Sequence, residues 1–248
     1  MGRRKKRRSK RGFPVSVLVG LHEDRAVFWK IYSEKIKPEQ VIKRGRKRKN
    51  QDEKQLYHFH EEIVNLLRKI IKGGIRSIVL VNSPKTEYNQ EFFEHVEHHH
   101  QWMLKKGPQQ AVFAKLEGNA SNAEELFKLV QYELFQEKVE EASNTESSMI
   151  IKDLEEILNR SDRFGKILYK IKPIEELIDH KWKKYEQKPN YLLLTDTFLN
   201  EHPQKNRIHR IIQVAKNNGI KSKIIYSESD AGKRLKQLGG MVCYIIYD

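Results

Sequence analysis

Apolar positions first become dense in two short runs, VSVLVGL (15–21) and RAVFWKIY (25–32), separated by a polar turn at His22–Asp24. Runs rich in β-branched and aromatic residues on either side of a turn predict a β-hairpin at the start of a domain. Val41–Ile42 predicts a short third strand. From Asp52 to Lys72 the apolar residues Leu56, Phe59, Ile63, Leu66, Leu67 and Ile70 recur at helical spacing, and Gly73–Gly74 ends the pattern. SIVLVNS (77–83) is a continuous apolar run, the pattern of a strand buried on both faces. A helix follows over 89–105, with Phe92, Phe93, Val96 and Trp102 as candidate core. Gly107–Pro108 breaks it, QAVFAKLE (110–117) is a further strand, and Asn122 is placed to cap a helix over 123–141.

The stretch SNTESS (143–148) is polar and carries no core residue, which predicts a domain boundary. Beyond it the pattern gives helices near 150–159 and 174–185, the strand YLLLT (191–195) and a helix over 205–217. The strand KIIYS (223–227), a helix over 231–238 and the strand MVCYIIY (241–247) complete the chain. Alternating strands and helices place both halves in the α/β class. The predicted organisation is a basic tail (1–12), a first α/β domain (13–143), a linker (144–148) and a second α/β domain (149–248). No internal repeat relates the halves.

Composition supports this organisation. The 248 residues are 38% hydrophobic, enough for a sizeable core. The lone cysteine, Cys243, lies in an apolar strand pattern and has no internal disulfide partner, so a buried thiol in a reducing compartment is expected. No run reaches the roughly 18 apolar residues of a membrane-spanning helix. The basic start followed by FPVSVLVGL imitates a secretory signal, but His22, Glu23, Asp24 and Arg25 stand where a small-residue cleavage site would lie. A soluble, cytoplasmic protein is the expectation.

Charge changes the picture more. Fourteen positive charges of a formal net +15 sit in two runs. Arg3, Arg4, Lys5, Lys6, Arg7, Arg8, Lys10 and Arg11 form the first. Lys43, Arg44, Arg46, Lys47, Arg48 and Lys49 form the second, which leads through Asn50 and Gln51 into the helix at Asp52. Basic charge concentrated in this way suits a polyanion, because each neutralised phosphate releases condensed counterions. The tail is too charged to fold alone and lacks aromatics, so it predicts phosphate contact without sequence preference. The second run is held between predicted elements, and Asp52 and Glu53 suit the positive end of the helix that follows.

Tyr57, His58 and His60 near that helix start are candidates both for RNA contact and for packing. HVEHHH (95–100) carries His95, His98, His99 and His100, with Glu94 and Glu97 beside them, at spacings able to share a metal. No second ligand group is evident elsewhere in the sequence, so an exposed helix face is expected, with no metal and no cofactor. Phosphate-cradling glycine loops, HExxH and nucleophile-elbow patterns do not occur.

Several separate segments, in order, resemble the middle and C-terminal domains of Pelota and its relatives, the archaeal and eukaryotic class-1 peptide-release factors. VIKRGRKRKNQDEKQLYHFHEEIVNLLRKI followed by IRSIVLVNSPKTEYNQEFFEHV is similar to the Pelota basic loop, long helix, buried strand and next helix. KILYKIKPIEELI, YLLLTDTFLN and IIYSESDAGKRLKQLGGMVCYIIYD resemble the C-terminal domain, whose closing motif falls here on Ser227, Gly232, Leu235, Leu238 and Gly240. The resemblance implies an RNase H-like mixed sheet with helices, then an α/β sandwich.

The short basic tail stands where the family has its N-terminal decoding domain, which implies a protein that does not read codons. Release factors carry Gly-Gly-Gln in the loop, where glutamine helps position water against the peptidyl-tRNA ester. Lys49, Asn50 and Gln51 stand there in this chain, which makes Gln51 the candidate catalytic residue. Pelota lacks that triplet and acts by binding, whereas Vms-type release factors keep a glutamine after a less strict sequence. The resemblance therefore implies ribosome rescue, quality control or hibernation through rRNA near the A site and the peptidyl-transferase region, with P-site tRNA as a further contact. Its alternative is peptidyl-tRNA hydrolysis. The implied protein partner of the C-terminal domain is a translational GTPase or a ribosome-splitting ATPase. A nuclease would need a carboxylate cluster that the sequence does not show.

Overall fold

The computed structural model describes residues 12–45, 52–159, 165–179 and 188–247. Strands β1 (Pro14–Leu21), β2 (Arg25–Tyr32) and β3 (Lys35–Lys43) form an antiparallel meander. It is continued by β4 (Ser77–Asn82) and β5 (Val112–Glu117), both parallel to the strand before them in the order β3-β2-β1-β4-β5. This is the expected mixed sheet. Successive residues of β1 alternate between its faces. Val17, Val19 and Leu21 meet Phe59, Ile63, Leu67 and Ile71 of α1 (Asp52–Lys72) and Phe92 and Val96 of α2 (Tyr88–His99). Leu18, with Trp29 and Val79 of the neighbouring strands, faces Leu126 and Leu129 of α3 (Ala123–Val130) and Phe135 and Val139 of α4 (Glu133–Leu158).

The second sheet has the order β6-β9-β7-β8, built from β6 (Gly165–Leu168), β7 (Tyr191–Thr195), β8 (Lys221–Ile225) and β9 (Met241–Ile246); β7 and β8 are parallel and the other pairs antiparallel. One face, with Leu192, Leu194 and Cys243, packs on α5 (Ile171–Ile178), α6 (Asp196–Glu201) and α7 (Lys205–Asn217). The other, with Tyr191, Leu193 and Val242, packs on the end of α4 and on α8 (Asp230–Gln237). Cys243 is fully buried, and burial pushes its thiol up to about 12. Among the described residues no helix is long and apolar enough to cross a membrane.

Several elements differ from the sequence pattern: β6 and α6 are not expected from it, the helix expected over 89–105 ends at His99, and the one expected near 174–185 begins at Ile171. β3 is nine residues rather than two, because an edge strand with exposed side chains carries little apolar signal. Its Pro38, which cannot donate to a ladder, is tolerated at an edge beside the register shift at Phe28/Trp29. The helix expected over 123–141 is broken at Gln131–Tyr132 into α3 and α4. The expected linker at 144–148 is helix: α4 runs unbroken for 26 residues, about 39 Å. Its first half covers the first sheet and its second half the second sheet.

Ser143, Glu146 and Ser147 of that stretch are buried. The Ser147 hydroxyl donates to the Ser143 carbonyl (2.8 Å), and the Glu146 carboxylate accepts from the Arg76 backbone N–H (3.0 Å) and from the Lys223 ammonium of β8.

Asn122 caps α3 as its sequence position predicts, its side-chain oxygen accepting from the Glu124 and Glu125 N–H groups at 3.0 Å each. Asn122→Ala is expected to lower the unfolding free energy by about 1 kcal/mol, read from urea denaturation at constant slope.

Candidate nucleic-acid interface

The second basic run leaves β3 at a defined point. Lys43 is exposed at the end of the strand, opposite Arg25, and the Arg44 N–H donates to the Asp24 carbonyl at 2.8 Å. The run rejoins described structure at Asp52, the first residue of α1. Its two ends are thus fixed by an edge strand and by a helix whose apolar stripe is buried against the sheet. Arg46, Lys47, Arg48, Lys49 and Gln51 lie outside the described residues, as do Arg3, Arg4, Lys5, Lys6, Arg7, Arg8, Lys10 and Arg11.

The first turns of α1 separate the aromatic candidates. His58 is exposed, and Tyr57 is 42% exposed with its ring edge against His95 (5.1 Å) and His99 (5.3 Å). His60 is buried, its ring lying 5.4 Å from Phe92 and 5.0 Å from His95, which makes it a packing residue. Burial, reinforced by His95 and Arg44, pushes its imidazole down to about 4, so it stays neutral at neutral pH.

HVEHHH is not an exposed helix face. His95 and His100 are buried, while His98 and His99 remain exposed. The inward pair converges on Glu61 of α1, whose Oε1 lies 3.0 Å from His95 Nε2 and 2.6 Å from His100 Nε2. Burial raises the Glu61 carboxyl, but the hydrogen bonds and charges of His100 and His95 outweigh it, so it titrates below its ordinary value. Pairing with Glu61 would raise His95; burial is larger and lowers it. Sequence reading missed Glu61. It lies off the apolar stripe of α1 and 34 residues from His95, and its acidity among charged neighbours carried no signal.

No protein-family model matches the chain, and no curated protein sequence matches it. Solved structures do. The structure of ribosome-bound archaeal Pelota with ABCE1 aligns over 93% of this chain and 61% of that one, at 14% identity and a TM-score of 0.55. The S. cerevisiae protein Dom34, described as a translation termination-like factor involved in RNA quality control pathways and interacting with Hbs1, aligns over 94% of this chain and 63% of its own, at 20% identity and a TM-score of 0.49. Archaeoglobus fulgidus Pelota aligns over 95% and 65%, at 17% identity and a TM-score of 0.39. The chain spans about three fifths of the length of the first two structures. It has the Pelota fold, the fold that the resemblance implied.

Proposed function

We propose that this chain is a ribosome-binding relative of Pelota that acts in rescue, quality control or hibernation by occupying rRNA near the A site and the peptidyl-transferase region. The observation that carries this reading is the position of the basic run 43–49 between β3 and α1 of a Pelota fold. Lys43, Arg44, Arg46, Lys47, Arg48 and Lys49 would hold backbone phosphates, and the tail from Arg3 to Arg11 would add contacts without sequence preference. The second sheet and its helices would dock a translational GTPase or a ribosome-splitting ATPase. Binding, with no chemistry of its own, is the role of these residues.

Co-sedimentation with ribosomes across a salt series tests this. Affinity is expected to fall steeply with salt, and replacing the six residues of the run by serine is expected to flatten the log–log slope by up to about 0.9 per phosphate contact removed. Failure to co-sediment at low salt would sink the reading.

A second reading rests on Gln51, which directly precedes the first residue of α1. By the resemblance to release factors, a glutamine at this place in the sequence would position water against a peptidyl-tRNA ester, although its amide is no general base. Peptide release from stalled large subunits by the wild type, lost in Gln51→Ala, would favour hydrolysis. Equal inactivity of both proteins, with binding retained, favours the binding role.

A further inference from the structure

Six of the ten histidines of the chain (His58, His60, His95, His98, His99 and His100) stand in the first turns of α1 or at the end of α2. From the inner members of this group we infer a divalent-cation site of the zinc class, held by Glu61, His95 and His100.

Their ligand atoms all lie within 4.8 Å of one another, and among the described residues they are the one set of three that does so. Zinc bonds of about 2.0–2.2 Å in a tetrahedral arrangement place ligand atoms roughly 3.3 Å apart. The contacts of 3.0 and 2.6 Å at Glu61 Oε1 therefore need to widen by only about half an ångström to admit an ion. Two imidazoles and one carboxylate suit zinc and its neighbours, whereas magnesium and calcium require shells of six or more oxygens.

The site is also held in place. His95 lies within α2, and His100 is fixed at its C-cap by donation of its backbone N–H to the Val96 carbonyl at 2.8 Å. Glu61 is half-buried, so its solvent side leaves a fourth position for water, the arrangement of an open three-ligand zinc site. In the metal-free protein both imidazole N–H groups donate to the carboxylate, so the cluster is satisfied and the fold does not need the ion. Metal on His100 Nε2 moves that ring's proton to Nδ1, which faces the Trp102 indole N–H at 3.4 Å. Loading displaces the indole, which makes Trp102 a reporter. The ion would tie the end of α2 to α1 about 14 Å along the helix from its first residue. The site stands independently of any ribosome reading.

The test uses the untagged full chain, stripped of metal, with Zn²⁺ in calorimetry and Co²⁺ in visible absorption. One ion per chain is expected, with the ligand-field bands of a four- or five-coordinate nitrogen and oxygen site and a change in tryptophan emission. Glu61→Gln, which keeps the shape of the side chain, and His100→Ala are each expected to weaken binding at least 10-fold. The exposed pair His98→Ala with His99→Ala is expected to leave it within 2-fold. Absence of stoichiometric binding to the folded wild type overturns the site. So does binding that survives Glu61→Gln and is lost with His98 and His99. Circular dichroism of each metal-free variant separates loss of the site from loss of the fold, and the wild-type Co²⁺ spectrum decides the matter if a variant unfolds.

Discussion

Replacing Glu146 by alanine is expected to lower the unfolding free energy by about 3–5 kcal/mol. Glu146 and Lys223 are both fully buried, and their carboxylate and ammonium form an ion pair between α4 and β8. Alanine would leave the Lys223 charge buried with, among the described residues, the Val15 carbonyl as its remaining hydrogen-bond partner, at 3.4 Å, and would strip the acceptor from the Arg76 N–H. Removing one partner of such a pair costs far more than the pair contributes, because the surviving charge keeps its desolvation penalty. Lys223→Met is expected to be damaging for the mirror-image reason. The double variant Glu146→Leu/Lys223→Met is expected to recover most of the loss, since apolar groups of similar volume replace buried pairs at little cost. Urea denaturation of the wild type, Glu146→Leu, Lys223→Met and the double variant closes the cycle; additive effects would show that the two groups are not coupled. These residues join α4, β1, β8 and the residue that leads into β4, so the loss should appear as one cooperative transition that includes both sheets.

The same residue marks the limit of what the sequence shows. Within 52–72 every fact needed for a helix is local: the apolar stripe from Leu56 to Ile70, and the glycines after it. The helix of the structure has those bounds. At 143–148 the deciding facts are remote. Serine and glutamate read as a solvated linker until Lys223, 77 residues away, gives Glu146 its partner. The candidate site divides in the same way. The basic run was legible because charge density is a property of the segment itself. The inward turn of His95 and His100 was not, because it depends on Glu61 arriving from another helix. His60 shows the converse, since an aromatic ring beside a basic run reads equally as ligand contact or core until the packing of Phe92 settles it.

Gly232→Ala is expected to be as damaging as loss of Glu146, by a steric route. A Cβ at Gly232 would lie 1.9 Å from the Tyr226 carbonyl oxygen and 2.8 Å from the Ser227 Cα, both backbone atoms that cannot swing aside. The crowding has a cause in the hydrogen bonds around it. Asp196 Oδ1 accepts from the Ser227 N–H (2.8 Å) and hydroxyl (2.5 Å), which fixes the end of β8 to the start of α6. The Ser229 hydroxyl donates to the Tyr226 carbonyl (2.7 Å) and accepts from the Gly232 N–H (3.1 Å), drawing the first turn of α8 down onto that carbonyl. Leu235 then enters the core, and Gly239 and Gly240 end the helix with left-handed backbone and bonds back to Lys236 and Leu235. The motif Ser227, Gly232, Leu235, Leu238 and Gly240 is thus a device for turning β8 into α8 and α8 into β9.

Overpacking ordinarily costs about 1–3 kcal/mol and more where backbone must move, so at least about 3 kcal/mol is expected here. Gly239→Ala is the control, because a Cβ there meets nothing within 4 Å while φ is +97°. Its cost should be the conformational one alone, about 1–2 kcal/mol. Equal losses in the two variants, read from urea midpoints, would show that backbone conformation rather than the approach to Tyr226 makes glycine necessary at position 232.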